Sequence, residues 1–284
     1  RNDGGNIFAD QGGTTANAGG GRGPTFVDFD NDGDLDLYVV RGSGEFNLLF
    51  ENTNGLGAWS EVGSSKGVAS ATDSYTSAWA DYDYDGDLDL FITGYGAANL
   101  LYQNDGLGSF TDVASTAGVN DASNAEGAAW ADYNGDGLVD LYVANNGVDN
   151  LLYRNNGDGS FTDDASTAGV QGDVSATIAA AWADYDNDGD FDLYVGNNSS
   201  NSDELFRNDG DGTFTNATSA AGVTNTNDVI SLAWADYDND GTMDLFANGT
   251  GVADRLWHNN GDGTFTDVAA AVGLTNTGTG RGNA

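Results

Sequence analysis

Trp182-Ala183-Asp184-Tyr185-Asp186-Asn187-Asp188-Gly189-Asp190-Phe191-Asp192 is the stretch on which the fold turns. It joins an aromatic strand end to a nine-residue acidic loop of the form D-x-[DN]-x-D-G-x-x-D, and the pattern returns along the chain. The loops begin at Asp28, Asp81, Asp132, Asp184 and Asp236, a period of about 52 residues. That period is the structural unit, and it outranks any domain count drawn from a length of 284 residues.

Laid over one another, the units share four apolar segments. The first is Trp-Ala-Asp-Tyr, at Trp79 to Tyr82, Trp130 to Tyr133, Trp182 to Tyr185 and Trp234 to Tyr237, with Phe26 to Phe29 in its place in the first unit. A second follows each acidic loop, as in Leu88 to Thr93. A third resembles Asn150 to Tyr153, and a fourth resembles Phe161 to Asp164. Short segments rich in aromatic and branched residues read as strands. The turn Asn155-Asn156-Gly157-Asp158-Gly159 suits a hairpin, because Gly and Asn tolerate positive φ.

One unit buries too little apolar surface to stand alone, and four-stranded units of about 50 residues stack as blades around an axis. The expected fold is all-β, a β-propeller of four-stranded antiparallel blades. A single domain over 1–284 would hold complete repeats at about 26–78, 79–129, 130–181, 182–233 and 234–274, a partial repeat at 1–25 and the start of a sixth at 275–284. A calcium β-roll needs a Gly-Asp signal every nine residues, which is absent. The Trp two residues before each loop is expected to pack between blades. Trp59 and Trp257, which break the pattern, are the better candidates for ligand contact.

Composition narrows the chemistry. Eight Lys and Arg stand against 45 Asp and Glu, a formal charge of −37 whose self-repulsion calls for a neutralising cation. The cationic residues are scattered, so nucleic acid is a poor partner. No apolar run approaches the roughly 20 residues of a membrane span, so membrane insertion is not expected. No charged-then-apolar signal segment opens the chain, which would then be mature or have its leader elsewhere. Cysteine is absent, which excludes disulfides and thiolate chemistry.

The loops carry oxygen ligands at positions 1, 3, 5 and 9, a glycine at 6 and room for a main-chain carbonyl at 7, the first half of a calcium-binding loop. The candidate ligands are Asp28, Asp30, Asp32, Asp34 and Asp36 in the first loop and Asp81, Asp83, Asp85, Asp87 and Asp89 in the second. They are Asp132, Asn134, Asp136, Leu138 and Asp140 in the third, and Asp184, Asp186, Asp188, Asp190 and Asp192 in the fourth. The fifth loop offers Asp236, Asp238, Asp240, Thr242 and Asp244. Indifference to the side chain at position 7 is what a carbonyl ligand predicts, and Asn134 removes one charge from the third site. Calcium, at about five sites, fits better than magnesium, which keeps its waters, or zinc and copper, which favour His and Cys. Asp-rich turns without an ion are the bland alternative, which five copies in register argue against. Sites of modest affinity fill only where calcium is abundant, which points outside the cell.

Trp-Ala-Asp-Tyr-Asp-x-Asp-Gly-Asp-x-Asp-Leu, followed by Leu-Tyr-Arg-Asn-x-Gly-Asp-Gly-x-Phe-Thr-Asp, resembles the FG-GAP/VCBS repeat family, the calcium-binding propeller repeats of integrin α-subunit heads and many bacterial secreted proteins. The likeness runs from about Phe8 to Leu274. It implies a secreted or cell-surface protein, bacterial in origin. Such propellers serve in adhesion, glycan binding and scaffolding and as appendages to enzymes, and commonly have six to eight blades, so five complete units leave ring closure open.

Three classes of function follow. The leading expectation is a non-enzymatic binding or adhesion module for a glycan or an extracellular protein, recognising its ligand on the face opposite the acidic loops, where Asn120 to Gly127, Gln171 to Thr177, Gly196 to Asp203 and Thr224 to Ser231 differ most. The alternative is a self-assembling filament or matrix subunit. Residues Arg1 to Phe8 resemble His258 to Phe265, and an unpaired strand edge recruits another chain. The third, part of a polysaccharide-active enzyme, needs a base beside a cation. His258 and Lys66 show no such pairing, and His258, in the register of Arg154 and Arg207, is expected to face a turn at the surface. No catalytic residue is assigned.

Overall fold

The computed structural model describes residues 21–53, 58–172, 176–198, 202–225 and 228–274. Both chain ends on which strand exchange would depend, and parts of three of the variable loops, lie outside these residues.

The described chain is all-β, with five four-stranded antiparallel sheets, each ordered as its strands occur in sequence. The inner strands are Gly21–Val27, Ser77–Ala80, Ala125–Ala131, Ala176–Ala183 and Val229–Ala235. The second strands, Asp36–Arg41, Asp89–Ile92, Asp140–Asn145, Asp192–Asn198 and Asp244–Gly249, begin on the last aspartate of each acidic loop. The third strands end on Asn52, Asn104, Asn155, Asn208 and Asn259. The fourth strands are three residues long, as in Phe161–Asp163.

Two details depart from the sequence reading. Inner strands start earlier than the Trp motif, because alanines such as Ala128 and Ala129 fit where strands crowd the axis. Between the fourth strand and the next blade lies a four-residue helical turn, as at Ala165–Ala168, closed by a glycine in the left-handed region (Gly169, φ 80°). The recurring Ala-Ser-Thr-Ala-Gly-Val carried that signal unread.

Blades are joined by aromatic clusters. Each Trp meets the second-strand aromatic of the preceding blade edge-on: Trp79 with Tyr38 at 5.7 Å, Trp130 with Phe91 at 6.4 Å, Trp182 with Tyr142 at 6.1 Å and Trp234 with Tyr194 at 6.3 Å. The fourth-strand Phe lies against both this Trp and the aromatic at loop position 2 of the preceding blade, as Phe214 does with Trp182 and Tyr133 at 6.0 Å each. Edge-to-face pairs contribute about 0.5–1.5 kcal/mol beyond their buried area. The Trp residues are therefore interblade packing, as expected, but Trp257 is not a ligand contact: it is 6% exposed inside the cluster joining the fourth and fifth blades. Its ring fills the place that Tyr153 and Phe206 hold in their blades.

Among the described residues, no buried cluster joins the fifth blade to the first. Phe26, in the register of the Trp residues, is 63% exposed. Phe246, in the register of the fully buried Tyr38, Phe91, Tyr142 and Tyr194, is only half-buried.

Two buried carboxyls, Asp203 and Asp254, break the blade pattern. Asn47, Asn99 and Asn150 each accept, at Oδ1, a backbone N–H at or just past the end of the second strand, from Arg41, Gly94 and Asn145. Asp203 takes this place in the fourth blade, accepting from Asn197 N at 2.8 Å, Tyr194 Oη at 3.1 Å and Asn225 Nδ2 at 2.7 Å. Burial pushes its carboxyl up to about 7. A carboxyl held protonated by the fold, with an unfolded value near 3.9, stabilises below that value and loses the contribution as pH rises towards 7. Asp203→Asn keeps the acceptor for Asn197 N and removes the ionisation. The new amide N–H faces the Asn225 donor at every pH, so the expected signature is in the slope. In saturating calcium the melting temperature of the variant should gain on that of the parent between pH 4 and pH 8, as followed by circular dichroism.

Candidate metal centres

Each acidic loop is shaped by its own hydrogen bonds. Asp184 turns both oxygens inward, Oδ1 to Asp188 N at 3.1 Å and Oδ2 to Gly189 N at 3.0 Å. Asp28, Asp81, Asp132 and Asp236 do the same at their own fifth and sixth residues. The aspartate at position 5 accepts the N–H of position 7, as from Asp190 to Asp188 at 3.0 Å. The turn needs two left-handed residues: glycine at position 6, with φ from 88° at Gly33 to 101° at Gly189, and position 4, with φ of 58° at Asn31, 61° at Tyr84 and 60° at Asn187. Position 4 escaped the sequence reading although Asn or Gly stands there in all loops but the second.

Position 9 is buried. Asp36, Asp89, Asp140, Asp192 and Asp244 are at most 1% exposed. In each, Oδ2 accepts the N–H of loop position 2 and Oδ1 that of the Asn ending the third strand: for Asp192 these are Tyr185 N at 3.0 Å and Asn208 N at 2.8 Å. Burial pushes Asp89, Asp140 and Asp192 up to about 7 and Asp36 to about 6. Burial, with neighbouring carboxylates, also raises Asp30 and Asp186.

The third-strand Asn has a further role that the sequence did not disclose. Its Nδ2 crosses to the preceding blade and donates to the carbonyl of loop position 2: Asn104 to Phe29 at 2.8 Å, Asn155 to Tyr82 at 2.7 Å, Asn208 to Tyr133 at 2.8 Å and Asn259 to Tyr185 at 2.7 Å. The loops are thus tied to one another as well as to their blades.

Oxygen atoms converge within 4.8 Å from Asp28, Asp30 and Asp32, and from Asp81, Asp83 and Asp85. In the fourth and fifth loops the groups are Asp184, Asp186 and Asp192, and Asp236, Asp238 and Asp244. The third loop, with Asn134 at position 3, brings no three carboxylates together among the described residues. Such loops are able to hold a hard divalent cation. Asp30 Oδ1 and Asp186 Oδ1, both at position 3, are buried without a protein partner, as suits oxygens that would ligate a cation. Position 7 side chains are used elsewhere: Asp87 Oδ1 accepts from Asn31 Nδ2 of the neighbouring loop at 2.6 Å, and Thr242 Oγ1 lies 2.7 Å from Asp240 Oδ1. A carbonyl role at that position therefore remains open to the main chain.

His258 is not a turn-facing surface residue. It sits one residue before Asn259 in the third strand, and its Nδ1 lies 3.2 Å from Asp244 Oδ1 and 3.5 Å from Asp238 Oδ2. Gln103, in the same register, places Nε2 2.6 Å from Asp83 Oδ2. This register faces the acidic loop because side chains alternate along the strand.

At the other end of the inner strands lies an axial pocket of about 480 Å³, lined by residues of all five blades. Arg22 stacks 3.9 Å over the Tyr75 ring and pairs with Asp73 at 2.7 Å. Tyr75 meets Tyr95 at 5.2 Å, and Glu126, 7% exposed, accepts from Asn146 Nδ2 at 2.7 Å. Ser231 Oγ is buried without a protein partner at the pocket wall. Register shifts near this end of the inner strand pairs, at Gly21/Gly23, Ala144/Asn145, Thr177/Ala179 and Val229/Ser231, bend the strands beside it.

The FG-GAP-like repeat model matches residues 28–92, 81–143, 132–195 and 184–247, well over half the chain. The chain belongs to the FG-GAP-like repeat family. Each match runs from one acidic loop to the strand after the next, so the family unit spans the interface just described. Among curated relatives, this FG-GAP-like chain is 28% identical to human cartilage acidic protein 1 over 201 residues, 63% of the chain and 30% of the relative. It is 36% identical to the Xenopus tropicalis protein of that name over 113 residues, 38% of the chain and 17% of the relative. The chain therefore spans less than a third of the length of these relatives. Among solved structures it is similar to an Agrocybe aegerita lectin described as recognising non-reducing terminal N-acetylglucosamine, with a TM-score of 0.56 and 22% identity over 94% of this chain and 72% of that one. That likeness is one of fold.

Proposed function

We propose that this FG-GAP-like chain is a calcium-stabilised, non-enzymatic binding module of the cell exterior, which holds a neutral glycan at its axial pocket. The five acidic loops take the calcium through side-chain oxygens at positions 1, 3, 5 and 9 and the carbonyl at 7. The observation that carries the reading is the pocket itself. A repeating scaffold brings five non-repeating sets of side chains to one concave site, within the 300–1,000 Å³ usual for small ligands. Carboxylates dominate its charge, with Arg22 engaged by Asp73, so a neutral polyol suits it better than an anion. Ser231 Oγ, buried and unpartnered, suits a ligand hydroxyl. An extracellular setting is supported by calcium supply and by the cartilage in the relatives' name.

A glycan array probed in millimolar calcium tests this. Neutral saccharides are expected to bind and uronic acids not, and Tyr75→Ala is expected to weaken binding at least tenfold while the melting temperature stays near that of the parent. An array without hits, or one dominated by acidic glycans, would sink the reading.

A second reading has its own observation. Phe26 and Phe246 leave apolar faces open on the first and fifth blades, where other blades cover theirs. Stacking of such faces between copies would make a structural polymer, and sedimentation in calcium showing only monomers would remove it.

A further inference from the structure

We propose that at the fifth acidic loop a borderline divalent cation such as zinc displaces calcium, with His258 giving it a nitrogen ligand beside Asp238, Asp240 and Asp244. The inference rests on the reading of the loops as cation sites and separates one of them from the rest. In the other blades, the third-strand residue facing the loop has no nitrogen lone pair to offer. Gln103 donates an amide N–H to Asp83, Arg154 pairs with Asp164, Arg207 pairs with Asp209, and the first blade has Glu51. Only the fifth places an imidazole there.

The spacing fits the ion. Zinc binds imidazole and carboxylate at about 2.0–2.2 Å, so two ligands on a tetrahedral ion stand about 3.4 Å apart. His258 Nδ1 lies 3.5 Å from Asp238 Oδ2 and is within hydrogen-bond distance of Asp244 Oδ1 at 3.2 Å, a contact that a cation between the two atoms would replace. The ligand atoms of Asp238, Asp240 and His258 lie within 4.8 Å of one another. The donors are also preset. His258 is held in strand register opposite Thr266, its ring meets the edge of Tyr237 at 6.1 Å, and Asp244 is fixed by the N–H groups of Tyr237 and Asn259. Calcium, which prefers six to eight oxygens, gains little from an imidazole, whereas zinc, copper and nickel favour one. The surrounding loop chemistry is unchanged, so a single substitution in the third strand converts a hard site into a borderline one.

The chain has one histidine, so every imidazole signal has a single source. An untagged, nitrogen-15-labelled chain in excess calcium is titrated with zinc chloride, with binding measured in parallel by calorimetry. One equivalent of zinc is expected to shift the imidazole nitrogen resonances. His258→Gln, which copies the second blade, is expected to weaken the tightest zinc site at least tenfold and leave the calcium-loaded melting temperature unchanged. Imidazole resonances that stay in place at one equivalent, or a zinc isotherm indifferent to His258→Gln, would overturn the proposal. If chelation leaves the fold untouched while zinc still moves the imidazole, the calcium reading fails and zinc ligation by His258 stands. If chelation unfolds the chain and zinc leaves the imidazole unmoved, only this one fails.

Discussion

EGTA is expected to lower the melting temperature by at least about 20 °C, with calcium restoring it and equimolar magnesium not. Carboxylates about 5 Å apart repel by roughly 3 kcal/mol per pair at an effective dielectric near 20, and each loop holds several. A cation at a hundred times its dissociation constant contributes about 2.7 kcal/mol per site. Five such sites together rival the whole stability of an ordinary domain, about 5–15 kcal/mol. The loops also lie in the seams: Asn31 Nδ2 bonds Asp87 Oδ1 across two blades, and Asn104 reaches the carbonyl of Phe29 inside the first loop. Loosening one loop therefore loosens an interface.

The pH dependence supplies a second signature. In the metal-free chain Asp89, Asp140 and Asp192 hold their protons up to about 7 and Asp36 to about 6. These values lie above the unfolded one near 3.9, so the folded state binds more protons between them. Stability in EGTA is therefore present at low pH and lost as pH rises towards 7. Calcium competes with those protons for the same oxygens, so the loaded chain should gain with rising pH over the same window. Melting curves at pH 5.5 and 8, with and without calcium, should cross in rank order. Curves indifferent to EGTA at both values would take calcium out of the account.

The architecture was legible because it repeats. Trp182 stands two residues before Asp184 as Trp79 does before Asp81, and a residue that must fill the same seam is the same residue each time. The loop ligands were legible for the same reason. What escaped is what the repeat conceals by never varying. An Asn ends the third strand of every unit, yet the roles of Asn208, as donor to Asp192, Phe191 and Tyr133 and acceptor for Gly210, need separate stretches of chain in space. The position-9 aspartates read simply as ligands, whereas burial makes them acceptors for two backbone groups first. His258 was misplaced because the neighbouring Arg154 and Arg207 suggested a solvent-facing register. Those arginines turn to Asp164 and Asp209, while the shorter imidazole stays over the loop. The axial pocket could not be read at all, since its lining is the part of each unit that does not repeat.

Asp192→Ala is expected to lower the melting temperature by about 10 °C in calcium and to go on destabilising the chain in EGTA. The carboxylate is fully buried and accepts Tyr185 N at 3.0 Å and Asn208 N at 2.8 Å. Removing it leaves two buried N–H groups without an acceptor, at about 1–3 kcal/mol each. Asn208 also carries the bond to Tyr133 in the preceding blade, so the loss spreads to the interface packed by Trp182 and Phe214. Asp186→Ala is the matched control. It removes another oxygen of the same converging group, but Asp186 Oδ1 has no protein partner to abandon. Its penalty should therefore appear only when calcium is present, and in EGTA the loss of its bond from Asp188 is offset by relief of repulsion from Asp184 and Asp188. Equal penalties for the two variants in calcium, both vanishing in EGTA, would reduce Asp192 to a ligand and withdraw its role in joining the loop to the third strand.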